Sequence, residues 1–371
     1  MNDAWIAERM KHIDASGIRK AFEMAKSMKD PINLSIGLPD FDVPAPAKAA
    51  AIAAIEAGHN AYTVTQGLAE LRAKIQADLD TRFGHSDREV LITAGTSGGL
   101  LLGICSVVNP GDEIIVLDPY FGMYRHLATL AGGVSVAVDT YPDFRPNAAR
   151  VEAAITPRTR CVVLNSPNNP TGIVASEAEI RALAELCRRR DILLISDEVY
   201  RSFCYDQPFA SPASWNEDVL VVDGYSKAYG MTGWRLGYAH GPSRLIQEMA
   251  KLQQFSFVCA PSMAQHAGIV ALDLDLTSQV DAYRRKRDAV VAALRDDFDL
   301  ATPEGAFYAF PRAPWGTASE FAAEAIRHNL LIIPGNVFSQ YDTHFRISYA
   351  VDDTTLHRGL EILQNMARRG A

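Results

Sequence analysis

Six short runs of apolar, largely β-branched residues recur between residues 90 and 223: VLIT (90–93), IIVL (114–117), VSVAV (134–138), CVVLN (161–165), ILLIS (192–196) and VLVVD (219–223). A strand that is apolar on both faces must be covered on both faces. Amphipathic stretches separate several of these runs. In SEAEIRALAELCRRRD, for example, Ile180, Leu183, Ala184 and Cys187 share one helical face. The pattern predicts an α/β domain over residues 31–280, a mostly parallel sheet with helices on both sides. SQVDAYRRKRDAVVAALRDDF then reads as a long helix, with Val280, Tyr283, Val290, Val291, Leu294 and Phe298 on its buried face. Short strands (FYAF, LLII, FRISYA) and helices near 318–328 and 353–368 follow. They predict a smaller α+β domain of residues 281–371, with residues 1–30 expected to join it.

Composition narrows the setting. At 371 residues, 48% hydrophobic and 22% charged, the chain can bury a large core without disulfides or metals. Its formal charge of -8, from 36 basic and 44 acidic residues, disfavours nucleic acid or an anionic membrane as a general partner. No apolar run approaches the ~20 residues of a membrane helix. The N-terminus has mixed charge and lacks the apolar segment of a signal peptide. Cys105, Cys161, Cys187, Cys204 and Cys259 form no CxxC pair and lie mostly in apolar runs, as expected of reduced thiols in a cytoplasmic protein.

Open parallel sheets bind ligands beyond the carboxyl ends of their strands, so the residues after each strand matter most. AGTSGGLLLGI follows VLIT. There the amides of Gly95, Thr96 and Ser97 open a helix and can hold an anion, although plain capping is common for such residues. The turn is neither a Walker loop nor GxGxxG. DPYFGMY follows IIVL and crowds Tyr120, Phe121 and Tyr124 at one strand end, as core or as a flat platform for a flat ligand. SPNNPTG follows CVVLN as a rigid turn carrying Asn169. DEVY follows ILLIS, and Asp197 there is either a helix cap or a partly buried carboxylate seeking a cation; Tyr200 shares its direction if a helical turn follows. GYSKAYGMTGWRLGY completes VLVVD, bringing Ser226, Lys227 and Arg235 to the same edge. Most lysines are solvated, but a sequestered one loses basicity and can act as a nucleophile.

Together these residues supply an anion cradle (Thr96, Ser97, Ser226, Arg235), a ring platform (Phe121), a carboxylate (Asp197), phenol and amide donors (Tyr200, Asn169) and an amine (Lys227). Pyridoxal phosphate requires these groups: contacts for its phosphate, an amine for its aldehyde, and a carboxylate to keep its pyridine nitrogen protonated.

NSPNNPTG, SDEVY, YSKAYGMTGWRLGY, PEGAFYAFP and FRISYA occur in that order, after INLSIGLPDFDVP and AYTVTQGLAELRAKI. The chain thereby resembles fold-type I class I/II aminotransferases over nearly its whole length, nearest to the bacterial and archaeal aspartate-type branch. The resemblance implies a large domain with a mostly parallel seven-stranded sheet and a smaller α+β domain. It implies that Lys227 forms an aldimine with pyridoxal 5'-phosphate and moves the substrate proton. Asp197 is then the partner of the pyridine nitrogen, and Tyr200 and Asn169 bond the phenolate oxygen. Phe121 stacks on the ring, where the family often has tryptophan or tyrosine. Thr96, Ser97, Ser226 and Arg235 hold the phosphate; the family varies at the first two. Arg346 binds the substrate carboxylate beside the backbone of Gly37, with Asn169 close by. Tyr62 matches a tyrosine that reaches the partner subunit's phosphate, which implies a homodimer with shared active sites.

Transfer of an amino group from an L-amino acid to a 2-oxo acid is the leading expectation. A C-S β-lyase of the same fold is the alternative, because both reactions start with the same proton abstraction. A transcription regulator built on this fold needs an N-terminal DNA-binding domain, for which the pattern leaves no room before about residue 14. A nicotinamide dehydrogenase needs the glycine fingerprint that is missing. For the substrate side chain, Arg19 is a candidate cation, while Phe22, Phe255 and Phe257 favour an apolar or aromatic donor.

Overall fold

All six apolar runs are strands of one sheet. The computed structural model describes residues 5–14 and 28–369. After the two-residue β1 (Ile32–Asn33), the chain forms β2 (Glu89–Ala94), β3 (Glu113–Asp118), β4 (Val134–Asp139), β5 (Thr159–Asn165), β6 (Leu193–Asp197), β7 (Leu220–Gly224) and β8 (Leu236–Gly241). These last seven make a sheet in the order β2-β8-β7-β6-β5-β3-β4. Every pairing is parallel except those of β8, which runs antiparallel to both β2 and β7. The expected mostly parallel seven-stranded sheet is therefore present. The seventh strand, LGYAHG, is one that the apolar runs do not reveal.

Helices cover both faces. Leu100, Leu102 and Ile104 of the helix Gly95–Val107 and Ile246 and Met249 of Ser243–Gln254 pack on one side, with Ile114, Val116, Val163 and Val222 of the sheet. On the other, Ile180, Leu183, Ala184 and Cys187 of Glu177–Arg190 meet Ile115, Val162, Leu164 and Leu194. That helix starts on a capping box in which Ser176 and Glu179 satisfy each other's backbone amides, and it ends in Arg188, Arg189 and Arg190, whose charges complement the negative end of the helix dipole.

The C-terminal part contributes β9 (Tyr308–Ala309), β10 (Leu330–Leu331), β11 (Ile333–Pro334) and β12 (Phe345–Ser348). β11, β12 and β9 form an antiparallel sheet, and β10 pairs in parallel with β1. Residues 32 and 33 thus join the C-terminal layer. A second core gathers Tyr283, Val290 and Leu294 of the helix Thr277–Leu294, Phe321, Phe345, and Leu356, Leu360 and Leu363 of Asp353–Arg369. Near the N-terminus, the turn Glu8–His12 lies against the helix Met123–Leu130, while Asn329 Nδ2 donates to the carbonyls of Lys29 and Asp30. Among the described residues no helix is long and apolar enough to cross a membrane, and no group of three or more His, Cys, Asp or Glu residues is placed to hold a metal ion.

Candidate active site

A cavity of about 510 Å³ opens beyond the carboxyl ends of β5, β6 and β7. It gathers Gly37, Thr96, Ser97, Phe121, Asn169, Asp197, Tyr200, Ser226, Lys227, Arg235 and Arg346. Tyr120 is buried as core and does not line it, but every strand-end residue assigned to the cofactor is there. So are Gly37, from the loop after β1, and Arg346, from β12, which the C-terminal layer brings over the sheet edge.

Asp197 is the last residue of β6. One carboxylate oxygen accepts from the Val199 amide at 3.3 Å, inside a turn: no helix starts directly after β6, so the helix-cap reading is not met and the buried carboxylate remains. The other accepts from the Tyr124 hydroxyl at 2.8 Å. Burial pushes the Asp197 carboxyl up to about 6, against the pull of Tyr124 and the Val199 amide. A cation within reach would reverse that cost. Asn165, paired with Asp197 across β5 and β6, donates to the Asp197 carbonyl at 3.0 Å and accepts from the Asn169 amide at 2.8 Å, which fixes the SPNNPTG turn.

Lys227 follows β7 in a four-residue helical turn, Tyr225–Ala228. Its Nζ donates to the Gly37 carbonyl at 2.7 Å. Burial lowers the ammonium to about 8, the nearby charges of Arg346 and Arg235 add to this, and Asp197 opposes it. A lysine poised there has a free amine within reach at neutral pH. Arg346 is fully buried. It donates to Asn169 Oδ1 at 2.9 Å and to the Ser35 carbonyl at 2.7 Å, while its Nε has no protein partner. An unpaired N–H on a buried guanidinium suits a carboxylate ligand.

The anion cradle is built by close backbone approach. Gly95 has φ +71°, and a side chain there would collide with the Arg235 guanidinium. Thr96 Oγ1 is buried without a partner at the start of the 13-residue helix Gly95–Val107. An orphaned hydroxyl, free helix amides and an arginine fit a phosphate. Phe121 stands beside them, edge-on to Tyr124. The residues therefore fit pyridoxal phosphate from its phosphate to its ring nitrogen.

Two contributors carry no chemical reading in the sequence, Asn165 and Tyr308, while Tyr124, expected as core or ring platform, instead donates to Asp197. The hydroxyl of Tyr308 lies 2.8 Å from that of Tyr200. Tyr62 is 83% exposed and lies outside the cavity of the single chain. Phe255 and Phe257 do not line it either, and Phe255 is 86% exposed. Arg19 and Phe22 lie outside the described residues.

Known proteins resemble this chain in sequence and fold. The family model for "Aminotransferase class I and II" matches residues 29–363. The aspartate/prephenate aminotransferase of Thermus thermophilus is 37% identical over 92% of each chain. The aromatic-amino-acid aminotransferase 2 of Thermococcus litoralis is 31% identical over 98% of each. The solved structure of aspartate aminotransferase from Thermus thermophilus with maleate superposes with a TM-score of 0.93 at 33% identity, covering 97% of this chain and 99% of that one. Sequence, fold and cavity converge on one conclusion: the chain belongs to the class I and II aminotransferases, enzymes that depend on pyridoxal phosphate.

Proposed function

We propose that the cavity carries out transamination, moving the amino group of an L-amino acid to a 2-oxo acid, with Lys227 as the residue that binds the cofactor aldehyde. The observation that carries this reading is the convergence of Lys227, Asp197 and Arg346 on one buried cavity. Bound pyridoxal phosphate supplies an electron sink through its protonated ring. Asp197 would keep that ring nitrogen protonated, and Tyr124 holds Asp197 in place. Tyr200 and Asn169 would bond the phenolate oxygen, and Phe121 would pack against the ring. Thr96, Ser97, Ser226 and Arg235 would hold the phosphate. Arg346 binds the substrate carboxylate next to Gly37, which orients the Cα–H toward Lys227 Nζ. There that amine, free of the cofactor, would act as the base that takes the α-proton and then as the acid that gives it back.

The test is a pair of half-reactions on the purified enzyme. A single amino acid should convert the cofactor band stably, with release of its 2-oxo acid, and a second 2-oxo acid should restore it. Release of pyruvate with ammonia or a thiol, while the band returns unaided, would instead identify a C-S β-lyase.

For the donor we infer an apolar or aromatic side chain, because Ile36, Leu38 and Met123 line the cavity. A donor panel answered by aspartate and glutamate alone would overturn this. We also infer a homodimer in which Tyr62 reaches the partner's phosphate site. Its support is the exposure of Tyr62, Val64 and Phe255 on one chain, and a monomer in sedimentation velocity would remove it. The five free cysteines, two of them buried, favour a reducing, cytoplasmic compartment; fractionation of the cells would check that.

A further inference from the structure

Tyr308 sits where the two halves of the site meet. Its ring lies 4.6 Å from the Arg346 guanidinium carbon, and Phe338 offers a second ring at the same 4.6 Å. Its hydroxyl is 2.8 Å from the Tyr200 hydroxyl, with the two rings at 84°. Gly37, whose carbonyl receives Lys227 Nζ, packs so closely that a side chain there would strike the Tyr308 hydroxyl. Tyr308 is 1% exposed. Arg346 and the Tyr200 hydroxyl face Tyr308, while Arg346, Asp197 and Lys227 face Tyr200.

A phenol has one proton to donate. If Tyr200 directs its proton to the cofactor phenolate oxygen, the bond between the two hydroxyls is donated by Tyr308. Hydrogen bonds in series polarise one another, more so in a buried site. We propose that Tyr308 is a positioning residue joining the two ends of the reaction: its hydroxyl strengthens the donation of Tyr200 to the cofactor, and its ring steadies Arg346 for the substrate carboxylate. This rests on the transaminase reading above. It adds a residue that no strand-end motif singles out.

The holoenzyme tests both arms. Donation to the phenolate oxygen stabilises negative charge there, which is greatest once the nitrogen joining Lys227 to the cofactor has lost its proton. Weakening that donation raises the pH at which the visible band titrates. Tyr308→Phe removes the hydroxyl and keeps the ring. Its titration midpoint should rise by about half a unit, less than in Tyr200→Phe, with the donor KM held within about twofold. In a Tyr200→Phe background, Tyr308→Phe should add no further shift, because its path runs through Tyr200. Tyr308→Leu removes the ring and should raise the donor KM about five- to tenfold. Tyr308→Phe keeps the hydroxyl arm readable if the leucine variant fails to fold. An unmoved midpoint in Tyr308→Phe, or a shift that persists without the Tyr200 hydroxyl, overturns the proposal. A wild-type enzyme with no cofactor band overturns the transaminase reading instead.

Discussion

Asp197 shows how a single residue records its task in its energetics. Burial in the folded protein raises the Asp197 carboxyl to about 6, against 3.8 for an ordinary aspartate, even with Lys227 nearby. The folded state then binds more protons than the unfolded chain between about pH 4 and 6, so this group makes stability fall as pH rises through that window. Lys227 acts in a higher window. Lowered to about 8 from 10.5, it binds fewer protons folded than unfolded, so its cost eases as pH rises between those values. The cofactor-free Asp197→Asn protein should be more stable than wild type at pH 7, by roughly 1–3 kcal/mol, and should bind cofactor more weakly. Urea denaturation at pH 4 and pH 7 checks this: a variant that keeps the wild-type loss of stability between those pH values would show that Asp197 is not the group responsible. Asp197 and Lys227 were legible in the sequence because a charge ending a buried strand is conspicuous. Tyr308 was not, because a tyrosine inside an apolar run reads as core, and Tyr124 was legible only as core or ring platform, not as the donor to Asp197; both are buried.

At the scale of elements, six strands of the large sheet could be read because they are apolar on both faces. β8 escaped because Gly237, His240 and Gly241 dilute it, although every one of its residues is buried. Those glycines have a local reason. A side chain on Gly237 would come within 2.6 Å of the Gly95 carbonyl carbon and 2.7 Å of the Thr96 amide nitrogen. β8 can lie beside the anion cradle only with glycine there. Gly237→Ala should therefore cost about 1–3 kcal/mol of stability and weaken cofactor affinity together, with thermal melting and a cofactor titration as the measurements. Unchanged values in both would mean that the cradle is set elsewhere. The run LLII was read as one strand, but Leu330–Leu331 and Ile333–Pro334 belong to different sheets. Leu330, Leu331, Ile332 and Ile333 are all buried, so hydropathy alone cannot divide them.

For the whole molecule, the order of strands and helices made the α/β class readable, since buried parallel strands demand helical crossovers. The meeting of Arg346 with Lys227 was not readable from pattern. It depends on β12 lying over the sheet edge, which sets residues more than a hundred positions apart around one cavity. The resemblance of FRISYA to its family supplied that expectation, and the cavity brings the two residues together. The account stands or falls on Lys227 as the amine that binds the cofactor. Borohydride reduction of the holoenzyme, followed by peptide mass mapping, tests it most directly. The reduced pyridoxyl group should be found on the peptide containing Lys227 and be missing from Lys227→Ala; its attachment to another lysine would contradict the account.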